Sequence, residues 1–289
     1  MIRFSHHRST GESLGEYGRG IAGGVMFSLP LLYTMEVWWA GLALHPWRMV
    51  IYVVFTFALL LLYNRFAGLR RDASLVEVAI DSVEEMGIGL VLAAAVLWLT
   101  GRISGEMDGL EILGKVAMEG MTVAIGVSVG TAQLSTPDEG DGGVSGDEAN
   151  DGYLPQVSLA LCGAVLFAAN VAPTAEISVI AVESSPEMLL AIALCSILLG
   201  TLVLHFADFR GAGRFIAKAN FMTNSRSILT TYAVSLLASA ALLWFFDQLD
   251  GEPLALCVAK SVVLGVPAVL GASAGRLLLQ SNPSQKSPS

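Results

Sequence analysis

GGVMFSLPLLYTMEVWW, residues 23–39, is the stretch that decides the fold, because the chain repeats its pattern as CGAVLFAANVAPTAEISVI at residues 162–180. Each copy carries one carboxylate within an apolar run, in the pattern T-x-E. Matching positions differ by a constant 140 residues: Gly23/Gly163, Phe27/Phe167, Thr34/Thr174, Glu36/Glu176, Pro46/Pro186 and Arg70/Arg210. A later set differs by 145 residues: Lys115/Lys260, Gly120/Gly265, Gly126/Gly271 and Gly130/Gly275. A register held over this length predicts an internal duplication.

The composition indicates an all-α polytopic membrane protein. Hydrophobic residues make up 54% of the chain, charged residues only 14%, and the mean hydropathy is +0.65. Soluble domains carry about 25% charged residues. Much of the net charge of -9 lies in one linker and in apolar segments, so a nucleic-acid partner is not expected. The partner is the lipid bilayer.

Eight apolar segments are each close to the roughly 20 residues that a membrane-spanning helix needs. They are placed near 21–43, 48–66, 76–99, 111–133, 156–182, 187–206, 227–247 and 254–279. The predicted organisation is an N-terminal segment 1–20, a four-helix repeat 21–133, an acidic disordered linker 134–155, a second four-helix repeat 156–279 and a tail 280–289. Four spans per repeat give both repeats the same orientation, so they are predicted to be parallel.

The distribution of basic residues predicts the orientation. With the N-terminus in the cytoplasm, Arg48 and Arg102 lie outside, whereas twelve basic residues lie inside. Those twelve are Arg3, Arg8, Arg19, Arg65, Arg70, Arg71, Arg210, Arg214, Lys218, Arg226, Arg276 and Lys286. The positive-inside rule therefore predicts a multi-pass protein of the bacterial inner (plasma) membrane with both termini cytoplasmic.

Three intramembrane carboxylates carry the functional hypothesis. Glu36 and Glu176 lie about seven residues from the outer ends of their segments, and Glu119 lies eight residues from the outer start of segment 111–133. All three are thus about 10 Å deep at helical rise. Because an ionised group in hydrocarbon costs about 2.5–3.5 kcal/mol, each needs a partner or a function. We predict a cation-binding site or pore at the interface of the repeats.

Further oxygen ligands lie beside the T-x-E patterns. Prolines inside spans free backbone carbonyls, and Pro30 and Pro173 each precede a T-x-E. With Thr34, Thr174 and Asn170, these would supply the oxygen ligands that Ca²⁺, Na⁺ or Mg²⁺ prefer. The alternative is that both prolines are ordinary kinks, which membrane helices tolerate.

Two intramembrane lysines, Lys115 and Lys260, are predicted to compensate charge. A structural alternative pairs Lys260 with Glu176, and Lys115 with Glu36 or Glu119, as buried ion pairs that only fix packing. The functional interpretation counts three acids against two bases and leaves one carboxylate for a cation.

A stripe of acids, Glu77, Asp81, Glu84 and Glu85, lies along one side of a helix at its cytoplasmic end. Asp81, Glu84 and Glu85 are predicted to form a cytoplasmic vestibule that concentrates cations. Alternatively, only Glu84 and Glu85 reach the membrane and the other acids are solvated.

Catalysis is not expected, since the chain has no nucleotide-binding loop, no nucleophile with a base and no H-E-x-x-H. We therefore predict a non-enzyme without a cofactor, apart from a possible bound cation such as Ca²⁺ or Na⁺. The linker contains no window that fits an EF-hand loop.

GESLGEYGRGIAGG and FSLPLLYTMEVWW, with AANVAPTAE in the second half, resemble a family of bacterial integral membrane proteins that is defined by sequence and has no assigned function. The leading hypothesis is a cation channel or a cation/proton exchanger for Ca²⁺ or a monovalent cation. The alternative is a non-transporting scaffold or sensor that acts through the acidic linker. A homodimer is compatible with either hypothesis.

Overall fold

The computed structural model describes residue 15 and residues 17–26, 34–67, 74–133, 153–207 and 221–278 of the 289-residue chain. Most of the predicted N-terminal segment, most of the acidic linker, the C-terminal tail and Pro30 lie outside these residues.

The described chain consists of ten α-helices joined by turns, and no strand occurs within it. The helices are α1 (17–26), α2 (Met35–Ala43), α3 (Pro46–Ala67), α4 (Leu75–Leu99), α5 (Gly109–Gln133), α6 (Tyr153–Ala168), α7 (Ala175–Glu183), α8 (Pro186–Ala207), α9 (Phe221–Phe245) and α10 (Leu254–Leu278).

Six of these helices, α3, α4, α5, α8, α9 and α10, are long and apolar enough to cross a membrane. Their apolar stretches run from 19 to 25 residues, which is about 30 Å or more at helical rise. They coincide within a few residues with six of the eight predicted spans.

The other two predicted spans do not form single long helices. A turn at residues 169–174 divides the predicted span 156–182 into α6 and α7, so the expectation of one continuous, kinked helix is corrected there. The predicted span 21–43 contains α1 and α2, and residues 27–33 between them are outside the described chain.

The residues of the turn explain why α6 ends at Ala168. Pro173 has no N–H to continue a helix and disfavours helical backbone in the residue before it. Asn170 Nδ2 donates to the carbonyl of Leu166 at 2.6 Å, which satisfies one of the acceptors left at the helix end. The chain then turns through Thr174, which has extended backbone, into α7.

Helix lengths recur in the two halves in the same order. α2 and α7 have 9 residues each, α3 and α8 have 22, α4 and α9 have 25, and α5 and α10 have 25. The first residues of α2 and α7 are 140 positions apart, as are those of α3 and α8. The register of the sequence is thus also a register of helix boundaries.

The ends of α4 and α9 share one turn geometry. After α4, Arg102 N donates to Leu97 O at 2.7 Å and Gly101 N donates to Trp98 O at 3.0 Å. After α9, the residues 146 positions later make the same two bonds, at 2.9 and 3.3 Å. This is the Schellman arrangement, whose left-handed residue is Gly101 (φ 71°) in one turn and Asp247 (φ 61°) in the other.

Glycine contacts bring helices together within each half. On α1, a Cβ at Gly23 would overlap the backbone of Gly130 on α5. On α6, a Cβ at Gly163 would overlap Gly271 and approach Gly275 on α10. The small residues singled out in the sequence therefore permit backbone-to-backbone packing, as in G-x-x-x-G pairs.

Between the halves, α3 packs against α6 and the N-terminal end of α3 reaches the C-terminal end of α9. Tyr52 and Phe245 stack there with ring centroids 4.6 Å apart. Arg48, which is buried, donates to the carbonyls of Trp244 and Phe245 at 2.6 and 3.3 Å. This arginine connects the two halves at the N-terminal end of α3.

Candidate functional site

The structure places the three predicted carboxylates on separate helices with different exposure. Glu119 on α5 is completely buried, Glu36 on α2 is partly exposed, and Glu176 on α7 is exposed. Within the described residues, no group of three His, Cys, Asp or Glu side chains is close enough to hold a metal ion. The predicted metal site of Glu36, Glu176 and Glu119 is therefore not assembled. Equal distances from the ends of the predicted spans do not determine the directions in which these side chains point.

The two T-x-E patterns form the starts of short helices. Thr34 and Thr174 are the N-cap residues of α2 and α7, with extended backbone, and Glu36 and Glu176 lie in the first turns. A carboxylate in the first turn interacts favourably with the positive end of the helix dipole. This local role accounts for the pattern without a bound cation. Sequence reasoning missed it, although an N-cap threonine followed by an acid is a usual sign of a helix start.

Asn170 lies in the turn between α6 and α7. Its Nδ2 bonds Leu166 O, and its buried Oδ1 has no hydrogen-bond partner among the described residues. The hydroxyl of Thr174 donates to Val171 O at 2.9 Å. From the loop between α9 and α10, Gln248 contacts both Pro173 O and Ser178. These predicted cation ligands therefore make bonds that hold the turn.

The two lysines pair with acids near the N-terminal ends of α5 and α10. Lys115 Nζ lies 2.7 Å from Glu111 and donates to Arg102 O at 3.2 Å. Lys260 Nζ lies 2.9 Å from Glu252 and donates to Gln248 O at 2.8 Å. The structure thus gives both lysines partners other than Glu36, Glu119 and Glu176.

Glu119 has the least compensated environment of the three acids. Neither of its carboxylate oxygens has a hydrogen-bond partner at full geometry within the described chain. The indole of Trp38 on α2 interacts with it from one side. Nearby on α3 and α5, the hydroxyls of Tyr52 and Thr122 hydrogen-bond to each other at 2.5 Å. We call Glu119, Tyr52 and Thr122 the outer cluster.

A second buried polar group lies further along the same helices, and we call it the inner cluster. Asn64 on α3 donates to Glu85 Oε2 at 2.7 Å and to Ser82 Oγ at 3.1 Å on α4. Ser128 on α5 donates to Asn64 Oδ1 at 2.9 Å. All four side chains are buried.

The inner cluster revises the predicted vestibule. Glu85 is buried in the inner cluster, whereas Glu84 is exposed and hydrogen-bonded to Tyr17, and Asp81 is partly exposed. Asp81, Glu84 and Glu85 therefore do not share one solvent-exposed surface. Sequence reasoning missed Tyr52, Asn64, Ser82, Thr122 and Ser128. The available signal was polar residues at helical spacing within apolar runs.

The corresponding positions of the second half are largely apolar. The sequence and helix registers relate Glu119 to Leu264, Tyr52 to Ile192 and Asn64 to Leu204. Leu264, like Glu119, is fully buried. The described buried carboxylates therefore lie in the first half.

At the start of α3, Arg48 also pairs with Asp250 at 2.8 Å and with Asp247, between the rings of Trp47 and Trp244. The loop that holds these acids lies outside the apolar helices. Desolvation and the hydrogen bond with Asp250 raise the pKa of Asp247, and the charge of Arg48 opposes this shift. The arginine is thus partly neutralised by two acids from the other half.

The fold and its apolar helices define a multi-pass integral membrane protein. A family model described as "Putative integral membrane protein (DUF2391)" matches residues 16–279, and the chain belongs to that family. No curated protein and no solved structure matches the chain.

Proposed function

We propose that the chain moves a small cation across the membrane, as a channel or a cation/proton exchanger, and that Glu119 is its central group. The observation that carries this proposal is a fully buried carboxylate whose two oxygens have no hydrogen-bond partner within the described chain. An ionised carboxylate removed from water costs several kcal/mol, so a proton or another cation must compensate it. Ionisable residues inside membrane segments are functional by default.

The architecture that we propose for this activity is two parallel four-helix repeats with eight spans. The recurring helix lengths, the shared Schellman turns and the equivalent lysine contacts support it. α6 and α7 would together make one interrupted span, which carries irregular backbone within the protein interior. Interrupted helices of this kind frequently form the binding regions of transporters. The excess of inner basic residues supports cytoplasmic termini.

The test is uptake of Ca²⁺, Na⁺ and K⁺ into proteoliposomes, each measured with and without a pH gradient. The variant is Glu119→Gln, and the matched control is Glu106→Gln, which changes an exposed glutamate in the same half. We expect flux of at least one cation in the wild type and in the control, and at least a tenfold loss in Glu119→Gln. Undiminished flux in Glu119→Gln, or no flux of any ion in the folded wild type, would reject the proposal.

A further inference from the structure

We infer that the ion handled at Glu119 is a proton, and that Glu119 and Glu85 are the outer and inner protonation sites of one route through the first half. This inference rests on the proposed function, to which it adds the identity of the ion and the route.

The surroundings of Glu119 suit a proton better than a metal cation. Hard cations take six or more oxygen ligands, among them several carboxylates or carbonyls. Near Glu119 the described chain supplies no metal-binding cluster of acids. Trp38, which interacts with the carboxylate, offers only an N–H donor, and a donor cannot ligate a metal. A carboxyl group that gains and loses a proton needs no such ligand set.

The inner cluster gives Glu85 different surroundings. Its Oε2 accepts from the Asn64 amide, whose oxygen in turn accepts from Ser128. This hydrogen bond stabilises a carboxylate at full geometry, whereas Glu119 has only the weaker contact with the Trp38 indole among the described residues. Two buried glutamates in different environments can therefore have different proton affinities, and a directional route requires such a difference.

Distances along α3 connect the two clusters. Tyr52 of the outer cluster and Asn64 of the inner cluster are 12 residues apart, about 18 Å at helical rise. Between them lies Thr56, whose buried hydroxyl has no hydrogen-bond partner among the described residues. A hydroxyl both donates and accepts, so Thr56, four residues from Tyr52 and eight from Asn64, supplies a buried intermediate group between the clusters.

Other titratable groups on the elements around α5 have different positions or partners. Glu36 on α2 is partly exposed, Cys162 on α6 contacts Leu59 O, and Lys115 on α5 itself is paired with Glu111. The proton therefore binds Glu119 from the outer side and is released from Glu85 to the cytoplasm, or moves in reverse. Only O–H bonds form and break along the way.

The experiment is proton flux into proteoliposomes that contain a trapped pH-sensitive dye, driven by a pH gradient and a potassium diffusion potential. We expect Glu119→Gln and Glu85→Gln each to lower protein-dependent proton flux at least tenfold, while Glu106→Gln, at an exposed glutamate, keeps it. The protonated state of Glu119 is read separately by infrared difference spectroscopy. Glu119→Gln should remove one carboxylic-acid carbonyl band, which a purely structural effect on transport would leave in place.

The outcomes separate this inference from the proposed function. Cation uptake that is indifferent to the pH gradient, with no proton flux, would overturn the inference and leave cation transport intact. The inference is likewise overturned if Glu85→Gln conducts protons like the wild type, or if the carbonyl band survives in Glu119→Gln. Absence of all ion movement in folded wild-type protein would reject the proposed function itself.

Discussion

Replacing Glu119 by leucine should stabilise the protein while it abolishes transport. Glu119 is fully buried, and its oxygens have no hydrogen-bond partner within the described chain. A buried polar group left without a partner costs about 1–3 kcal/mol. Leucine has a similar size and is the residue at the corresponding buried position, Leu264. We therefore expect Glu119→Leu to raise the free energy of unfolding by about 1–3 kcal/mol.

The reciprocal change supplies the control. Leu264→Glu places a carboxyl group among the apolar neighbours of a fully buried leucine, and it should lower the free energy of unfolding by at least about 2 kcal/mol. Glu119→Gln keeps an unpaired polar group and should change stability by less than about 1 kcal/mol.

Both quantities can be measured on the same preparations. Unfolding in mixed micelles, followed by circular dichroism against denaturant, gives the free energy by linear extrapolation. Proteoliposome flux gives the activity. If Glu119→Leu lost more than about 1 kcal/mol of stability, the carboxylate would have a structural partner, as in a buried ion pair. Such a result would refute the reasoning that Glu119 is retained for function at a cost in stability.

Three further predictions concern the packing. Arg48→Met should lower the free energy of unfolding by about 1–3 kcal/mol in the same assay, because it removes the arginine donor from the buried carbonyl of Phe245, from the partly buried carbonyl of Trp244 and from two acids; a change below about 0.5 kcal/mol would mean that the connection between the halves is unimportant. Partial desolvation and the hydrogen bond with Asp250 raise the pKa of Asp247 above its ordinary 3.8, so its contribution to stability is fully present below pH 3.8 and is lost as pH rises through the folded-state pKa. Asp247→Asn should remove that part of a stability-versus-pH curve, and an unchanged curve would contradict the assignment. Gly163→Ala should lower the free energy of unfolding by about 2 kcal/mol or more, because the new Cβ would overlap the backbone of Gly271. Gly87→Ala, where the space around the glycine is open, should leave the free energy of unfolding unchanged or raise it. Equal effects of the two substitutions would rule out the close helix contact.

The long spans could be predicted from the sequence because bilayer thickness dictates their length. Six predicted spans match long apolar helices. The break in the helix at residues 169–174 could not be predicted in this way, because bilayer thickness does not determine whether a span is interrupted. A proline within an apolar run is compatible with either a kink or a complete stop. The stop depends on local partners such as the bond from Asn170 to Leu166.

The candidate site shows the same limit. Sequence position gives the place of a side chain along a candidate span, and Glu119 lies buried within the candidate span of α5. It does not give the partners that rotation and loop geometry bring close. Lys115 reaches Glu111 one turn away, and Lys260 reaches Glu252 in the preceding loop. Long basic side chains extend toward the aqueous boundary in this way, so a nearby loop acid competes with an acid deeper in the span.

Comparison of the proposed repeats separates what a half needs for folding from what only one half possesses. Both halves contain the Schellman turn, the lysine bonded to that turn and the glycine contact with the last helix. These features set backbone geometry, and each half needs them in order to pack. The buried acids differ, since Glu119 corresponds to Leu264 and Asn64 to Leu204. Because the second half packs with leucine at both positions, the polar groups of the first half are not required by the architecture. That asymmetry places the proposed ion route within the first half rather than on the axis between the repeats.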